Sequence, residues 1–367
     1  MIPYGHQHVD DDDIAAVVAV LKGDWLTRGP AVDRFEQRVC EVTGARHAVA
    51  FANGTAALHG ATHAAGLGPG HTVATSPLSF AASANCVRYV GATARFLDID
   101  PATLNIDPAG VPAGLDGLVA VHYAGLAMDL ALLPGGADRP RVVIEDAAHA
   151  LGATTPSGPV GNCAHSDLCC FSFHPVKVVT TGEGGAVTTN SDELADRLRT
   201  FRHHGIRPAP EAGAWAYDIP ELGYNYRLTD IQAALGASQM DKLDRFVDQR
   251  NQRADRYRRR LAEVDGVTLP PAAPQGYRHA YHLFAVQVPE RARVHAEMHR
   301  RGVGVQVHFV PTYHFGAYRD LPVGPADFPA TEAAYAGLLS LPLFPDLTED
   351  DQDLVIEALV ASLAAVR

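Results

Sequence analysis

The sequence predicts an α/β fold in which a mostly parallel sheet is flanked by helices and is followed by a smaller C-terminal α+β domain. Up to about residue 245, short β-branched or apolar runs alternate with helical patterns, which is typical of a parallel sheet covered by helices on both faces. The 367 residues, 47% hydrophobic and 20% charged, have the size and composition of a folded globular protein. We therefore expect a large domain over residues 1–245, which includes an N-terminal arm, and a small domain over residues 246–367.

Several helix starts and strands are recognisable along the chain. Four aspartates at 10–13 precede an apolar run, as expected at the start of a helix. Thr229 with Gln232 has the spacing of a capping box, and Asn190 with Glu193 predicts another helix start. Strands are predicted in the main sheet at 47–51, 72–75, 94–97, 118–121, 142–145 and 186–189, and in the C-terminal part at 277–288 and 305–308.

Charge and composition argue against several classes of partner. The formal net charge is -12 and no basic run is long enough to bind a nucleic-acid backbone, so nucleic acid is not an expected partner. The N-terminal segment MIPYGHQHVDDDD lacks the features of a signal peptide, and no apolar stretch approaches the roughly 20 residues of a membrane helix. The five cysteines form no CxxC pair and are expected to be reduced. We therefore expect a cytoplasmic protein without a membrane partner.

The most informative segment is CFSFHPVKVVTTGEGGAVTTN, which runs from Cys170 to Asn190. It consists of a strand-like run, a lysine, a glycine-rich turn and a second strand. Lys177 is the only lysine between Lys22 and Lys242. Taken alone, Lys177 is best interpreted as a surface residue at the end of a strand, and only its neighbours along the sheet edge favour a chemical role.

Asp146 is the first of these neighbours. It follows the apolar run at 142–144 and is expected at the carboxyl end of a strand, where open α/β sheets bind their ligands. A carboxylate there would favour the protonated form of a pyridine nitrogen and so make a pyridine ring a better electron sink. The alternative is that Asp146 caps a helix, which explains its residue type but not the presence of Lys177.

Two further features lie at the same predicted sheet edge. Asn53, Gly54 and Thr55 follow a strand and open a helix, whose N-terminus can bind an anion such as a phosphate. Phe80 begins another helical pattern and could stack on a planar ring, although a lone aromatic is more often part of the core. Each feature is weak alone. A phosphate-type turn, an aromatic, a strand-end aspartate and a turn-borne lysine in this order together predict a fold-type I pyridoxal-phosphate (PLP) enzyme.

The sequence resembles the nucleotide-sugar aminotransferases, the DegT-type family, over nearly its whole length. The segments that carry the resemblance are SPLSFAASAN, HYAG, EDAAHALG, FSFHPVK followed by TTGEGGAV, and LGYNYRLTDIQAALG. All of these except LGYNYRLTDIQAALG are most similar to the branch of transaminases in the pseudaminic acid pathway. The resemblance implies the aspartate aminotransferase-like fold and, as activity, transfer of an amino group from L-glutamate to the 4-keto group of a UDP-linked 6-deoxy N-acetylhexosamine.

The resemblance also implies roles for individual residues that bind the cofactor. Lys177 would form the Schiff base with PLP, and Asp146 would contact the pyridine nitrogen. Asn225 would contact the cofactor phosphate of a neighbouring subunit, which implies a homodimer with shared active sites. The other implied cofactor contacts are Gly54, Thr55 and Ser172 at the phosphate, Phe80 on the ring face, and His149 beside the ring or its 3-hydroxyl.

Substrate contacts are implied by the same comparison with family segments. Arg227 would lie near the substrate, in the segment that reaches the neighbouring subunit. The reacting carbon, the stereochemistry and the nucleotide depend on the shape of the pocket and stay open at this point. The remaining candidates for contact with the sugar nucleotide are Trp25, Thr27, His122, Tyr123, His308 and Tyr313.

Two alternatives retain PLP. The first is a PLP-dependent keto-sugar dehydratase; in this family such enzymes replace the Schiff-base lysine with histidine, so Lys177 argues against it despite His174 nearby. The second is a regulatory protein that binds PLP without turnover. No helix-turn-helix signal or basic face supports it, and the lysine and aspartate weaken it.

Other cofactors are not expected. His295 and His299 flank Glu297 at helical spacing, but a zinc-protease motif requires the glutamate directly after the first histidine, so no metal site is predicted. The glycines at 66, 68 and 70 do not have the GxGxxG spacing of a nicotinamide-binding turn.

Overall fold

The computed structural model describes residues 1–366, whose strands form one seven-stranded sheet and three two-stranded sheets. Of the predicted strands, 47–51 and 72–75 have the observed bounds, and the other four of the main sheet agree within one residue at each end. In chain order the strands are β1 His47–Phe51, β2 Thr72–Thr75, β3 Thr93–Phe96, β4 Gly117–Val121, β5 Val142–Asp146, β6 Thr154–Thr155, β7 Gly158–Pro159, β8 Leu168–Ser172, β9 Gly185–Thr189, β10 Arg207–Pro208, β11 Tyr217–Asp218, β12 Phe284–Gln287 and β13 Leu338–Leu341.

The helix starts follow the capping signals with one exception. Asp10 and Thr229 each accept a hydrogen bond from the backbone in a capping box, as predicted. The prediction of Asn190 as a cap is wrong: Ser191 caps the helix, because the Asn190 side chain bonds the backbone of Arg46 and of 162–163 instead. The helices are α1 Asp11–Leu21, α2 Pro30–Thr43, α3 Gly54–Ala64, α4 Ala82–Tyr89, α5 Asp192–Phe201, α6 Asp230–Met240, α7 Leu243–Leu261, α8 Arg291–Arg300, α9 Pro329–Gly337 and α10 Glu349–Val366.

The large sheet has the order β1-β9-β8-β5-β4-β2-β3. Only β9 runs antiparallel to its neighbours, so β1, β2, β3, β4, β5 and β8 all end at the same edge. Alternate residues of β1 face opposite sides: Ala48 and Ala50 pack with α2 and α6, whereas Val49 and Phe51 pack with α3 and α5. The prediction of a mostly parallel sheet flanked by helices is confirmed.

The C-terminal part has its own core around the antiparallel pair β12 and β13. Helix α7 joins this core to the rest of the protein, because its first two turns pack with α2 and α6 and its later turns pack with β12 and α10. The division into domains at residue 245 falls near the start of this helix and stays a prediction.

Two strand predictions in the C-terminal part are wrong. The run at 277–288 is a strand only over Phe284–Gln287, since Tyr281 has a left-handed backbone with φ 44° that interrupts an extended chain. The run at 305–308 is limited to one bridge, between Gln306 and Ser340. Among residues 1–366, no helix is both long and apolar enough to cross a membrane.

Candidate active site

The carboxyl edge of the large sheet opens into a cavity of about 950 Å³. Residues that directly follow five strands meet there, because the ends of parallel strands lie side by side. Asn53 and Gly54 follow β1, Ser79 and Phe80 follow β2, and His122 follows β4. Asp146 ends β5, and Ser172 and Lys177 end or follow β8. Elements remote in the sequence complete the wall, namely Tyr4, His59, Tyr89, Tyr224, Tyr226, His282, His308 and Phe309.

Lys177 lies in the loop between β8 and β9. Its backbone N–H bonds the carbonyl of His174 at 2.9 Å, and the N–H of Thr181 closes the loop on the carbonyl of Phe173 at 2.9 Å. The side chain keeps some exposure to the cavity, but the amine is surrounded by protein. Burial lowers the pKa of Lys177 from 10.5 to about 8, and the negative charge of Asp146 opposes part of this shift. A lysine with this pKa supplies much more neutral amine near pH 8 than an exposed lysine does.

Asp146 also lines the cavity, and two hydrogen bonds hold its carboxylate in place. One carboxylate oxygen accepts a hydrogen bond from Ser83 Oγ at 2.6 Å, and the other accepts from the backbone N–H of Ala148 at 3.2 Å. The carboxylate is buried, with Asp146 only 6% exposed. Since buried carboxylates are costly without partners, this one is positioned to meet a positively charged or protonated group in the cavity.

The start of α3 forms a cradle for an anion. Asn53 Oδ1 accepts the N–H of Ala56 at 2.8 Å and fixes the first turn, whose N–H groups have no partners within the helix. A Cβ atom on Gly54 would lie 2.8 Å from Cβ of Ser172, so only glycine lets Ser172 approach the helix N-terminus this closely. The helix dipole and the hydroxyl of Ser172 together suit a phosphate.

Three imidazoles surround Lys177 in the structure. The rings of His149 and His282 are 4.3 Å apart between centroids, and His308 Nδ1 lies 2.9 Å from Ser340 Oγ. Burial, and then the positive charge of Lys177, hold the pKa of His149 well below 6.5. Burial and Lys177 lower the pKa of His308 to about 4. These imidazoles are therefore neutral at physiological pH.

His122 lines the cavity but has no free ring nitrogen. Its Nδ1 accepts the N–H of Met128 at 3.0 Å, so its Nε2 carries the proton and donates to Glu145 at 2.8 Å. Ser166 Oγ donates to the other oxygen of Glu145 at 2.5 Å. This closed network leaves only the ring surface of His122 for contact with a ligand.

The structure brings together nine of the predicted site residues and leaves six elsewhere. Tyr123 is buried, and its hydroxyl donates to the carbonyl of His308 at 2.5 Å. Tyr313 donates to Glu332 at 2.6 Å and packs on Phe96 and Phe328, so neither tyrosine lines the cavity. The nine in the cavity are Gly54, Thr55, Phe80, His122, Asp146, His149, Ser172, Lys177 and His308; the other four outside it are Trp25, Thr27, Asn225 and Arg227.

Arg227 belongs to a separate basic cavity of about 500 Å³. Its guanidinium lies 2.8 Å from His203 Nδ1, and Arg28 and Arg202 line the same cavity. Burial and the charges of Arg28 and Arg202 lower the pKa of Arg227. Asn225 pairs with His203 through an isolated bridge. Neither Arg227 nor Asn225 lines the cavity that holds Lys177.

Sequence reasoning missed several cavity residues. Tyr4 reaches the cavity because the N-terminal arm binds Gly302 and Gly304 through its backbone, and its ring contacts His308 at 5.4 Å. His59 lines the cavity from the second turn of α3, where its i, i+4 spacing from Thr55 was an available signal. His282 follows the left-handed Tyr281, a backbone feature with no clear sequence signal.

The cavity fits PLP: a buried lysine amine, a hydrogen-bonded carboxylate and an anion cradle lie at one sheet edge. An α/β fold of this topology with such a site defines the class of PLP-dependent enzymes. The sequence profile of the DegT/DnrJ/EryC1/StrS aminotransferase family matches residues 7–360. The chain belongs to this family and is a PLP-dependent sugar aminotransferase.

Known proteins agree with this assignment over the full chain. The spore coat polysaccharide biosynthesis protein SpsC of Bacillus subtilis (strain 168) is 38% identical over 376 residues, which covers 97% of this chain and 96% of that protein. The putative sugar aminotransferase Spr1654 from Streptococcus pneumoniae, in its PMP form, superposes with a TM-score of 0.92 at 26% identity, covering 100% of both chains. Helicobacter pylori PseC, an aminotransferase involved in the biosynthesis of pseudoaminic acid, superposes with a TM-score of 0.90 at 27% identity, covering 99% of both chains.

Proposed function

We propose that this protein transfers the amino group of L-glutamate to the 4-keto group of a nucleotide-linked 6-deoxy amino sugar, with UDP as the nucleotide. The observation that carries the proposal is the buried Lys177 amine, which shares a cavity of about 950 Å³ with Asp146 and is influenced by the charge of its carboxylate. The similarity to PseC supports a sugar of the pseudaminic acid type. We also propose a cytoplasmic location, which suits the five free cysteines.

Lys177 is assigned two roles in the reaction. Its amine would hold PLP covalently in the resting enzyme. Once an amino donor has displaced it, Nζ would take the proton from the α-carbon of L-glutamate and, in the second half-reaction, deliver a proton to C4 of the sugar. The pKa of about 8 suits the second role, because a general acid–base group works best when its pKa is near the working pH.

The other residues would bind and orient. When bound, PLP supplies an electron sink for the carbanion character that develops at the donor α-carbon. Asp146 would keep the pyridine nitrogen protonated, with Ser83 and Ala148 holding the carboxylate in place. Gly54, Thr55 and Ser172 would bind the phosphate. Phe80 and His149 would contact the ring, and the neutral imidazole of His149 would do so without adding charge.

A homodimer with shared active sites is part of the proposal. Arg227 and Asn225 lie outside the cavity of their own protomer, and several apolar side chains near them are exposed, including Leu222 at 86% and Trp25 at 58%. Burying this surface against a second copy would bring Asn225 to the partner's cofactor phosphate and Arg227, with its uncompensated charge, to the partner's substrate. Trp25, Thr27, His122 and His308 remain candidates for binding the sugar nucleotide.

The decisive test measures turnover of keto sugars that are linked to different nucleotides. The PLP-loaded enzyme would be incubated with L-glutamate and UDP- or dTDP-linked 4-keto-6-deoxy sugars, with release of 2-oxoglutarate and the mass of the sugar product as readouts. We expect one amino group gained at C4 for each 2-oxoglutarate, with the UDP sugar preferred. Lys22→Arg, on the surface, is the matched control for Lys177→Arg, which should be inactive. A product that has lost water without gaining nitrogen would contradict the proposal.

A further inference from the structure

His282 lies at the wall of the cavity and has no assigned role. Its ring is 5% exposed, it contacts the ring of His149, and its Nδ1 atom has no hydrogen-bond partner among residues 1–366. Buried polar atoms without partners are uncommon and call for an explanation. Since Nδ1 makes no hydrogen bond, His282 contacts its neighbour His149 through the ring.

The backbone that carries His282 is held by a buried arginine. Arg250, on α7, is 1% exposed, and its Nη1 atom donates to the carbonyls of Tyr281 at 3.2 Å and His282 at 3.4 Å. It also donates to the carbonyl of Leu343 at 3.0 Å. No carboxylate of residues 1–366 forms an ion pair with it. Its charge is instead distributed over three main-chain carbonyls.

Through Arg250 and Leu343, the segment that carries His282 is linked to the N-terminal arm that carries Tyr4. The carbonyl of Leu343 is bound by Arg250, while the N–H of Leu343 donates to the carbonyl of Tyr4 at 3.1 Å. Next to His282, the left-handed Tyr281 has its N–H bound by His279 Nδ1 at 2.8 Å. A buried charge without a carboxylate is unfavourable, so fixing this strained segment is a role that explains why an arginine stands here.

We propose that His282 is a positioning residue of the active site that holds the ring of His149 against the cofactor, and that Arg250 fixes His282 through the carbonyls of residues 281 and 282. His149 contacts two neighbouring rings: His282 at 4.3 Å between centroids, and Phe309 at 5.8 Å with an interplanar angle of 19°. Removing His282 takes away the shorter of these two ring contacts. This inference rests on the proposed contact between His149 and PLP but not on the identity of the sugar.

The test compares His282→Ala, His282→Phe and His149→Ala by PLP dissociation constant and by the absorbance spectrum of the bound cofactor. We expect His282→Ala to weaken PLP binding by about twofold to tenfold, the size of one aromatic contact, and to shift the cofactor band. His282→Phe keeps a ring against His149 and should restore both readouts. His295→Ala, on helix α8 and outside the cavity, is the control for the general effect of replacing a histidine with alanine.

A double variant tests whether His282 affects PLP binding through His149. If His282 acts through His149, then His149→Ala/His282→Ala should bind PLP no more weakly than His149→Ala alone. Additive losses, or unchanged affinity and spectrum in His282→Ala, would overturn the inference while leaving the proposed role of His149 intact. Unchanged binding in His149→Ala would overturn both. Arg250→Lys replaces the planar guanidinium with a single donor nitrogen on a shorter, flexible side chain, and it should mimic His282→Ala if it folds; the His282 variants decide the matter if it does not.

Discussion

Capture of PLP by the apoprotein should depend on pH through Lys177. Only the neutral amine reacts with an aldehyde, and burial lowers the pKa of Lys177 from 10.5 to about 8. At pH 8 about half of the Lys177 amines would be neutral, compared with about one in 300 for a lysine at its ordinary pKa. We therefore expect the capture rate to rise with pH to a plateau with its midpoint near pH 8.

Replacing Asp146 should shift the midpoint of this pH dependence in a defined direction. Its negative charge raises the pKa of Lys177, opposing burial, so Asp146→Asn should move the midpoint below pH 8. The assay is the growth of the cofactor's visible absorbance after mixing with apoprotein over a range of pH. The rate for Nα-acetyl-lysine, measured in parallel, corrects for ionisation of PLP itself. A midpoint near the ordinary lysine value, or a rise in the midpoint of Asp146→Asn, would refute the reasoning.

Other variants test the remaining parts of the site. Lys177→Ala should lower kcat at least about 10³-fold with the circular dichroism spectrum unchanged, because it removes both the anchor and the acid–base group. Asp146→Asn should still bind PLP but lower kcat about 100-fold in steady-state assays. Gly54→Ala should weaken PLP binding about tenfold in equilibrium titrations, because its Cβ would clash with Ser172. Asn225→Ala should weaken PLP retention in the dimer, where Asn225 would contact the partner's cofactor phosphate. Unchanged PLP affinity in an intact dimer would contradict this contact.

The sheet edge was predictable because its chemical residues directly follow strands. Asp146 ends β5, and Gly54 and Ser172 meet opposite Gly185 once β1, β9 and β8 are paired. Apolar periodicity and turn residues therefore specify which side chains share this edge. The same local signals placed the starts of α1 and α6 correctly.

The rest of the cavity wall depends on contacts that no local pattern encodes. Tyr4 reaches the cavity through backbone bonds to residues about 300 positions away, and His282 depends on a left-handed residue held by Arg250. The hydrogen bonds of Tyr313 to Glu332 and of Tyr123 to a backbone carbonyl also come from tertiary packing. These two tyrosines were assigned from family resemblance, and such positions vary with the loops that carry them.

Reductive trapping tests the central claim most directly. The sequence has three lysines, Lys22, Lys177 and Lys242, so treating the PLP-loaded enzyme with borohydride and mapping its peptides by mass spectrometry identifies the bound residue without ambiguity. We predict that the added mass lies on the peptide that contains Lys177, and that prior incubation with L-glutamate removes the label because the amino group passes to the cofactor. A label on Lys22 or Lys242, or a label on Lys177 that survives glutamate, would contradict the account.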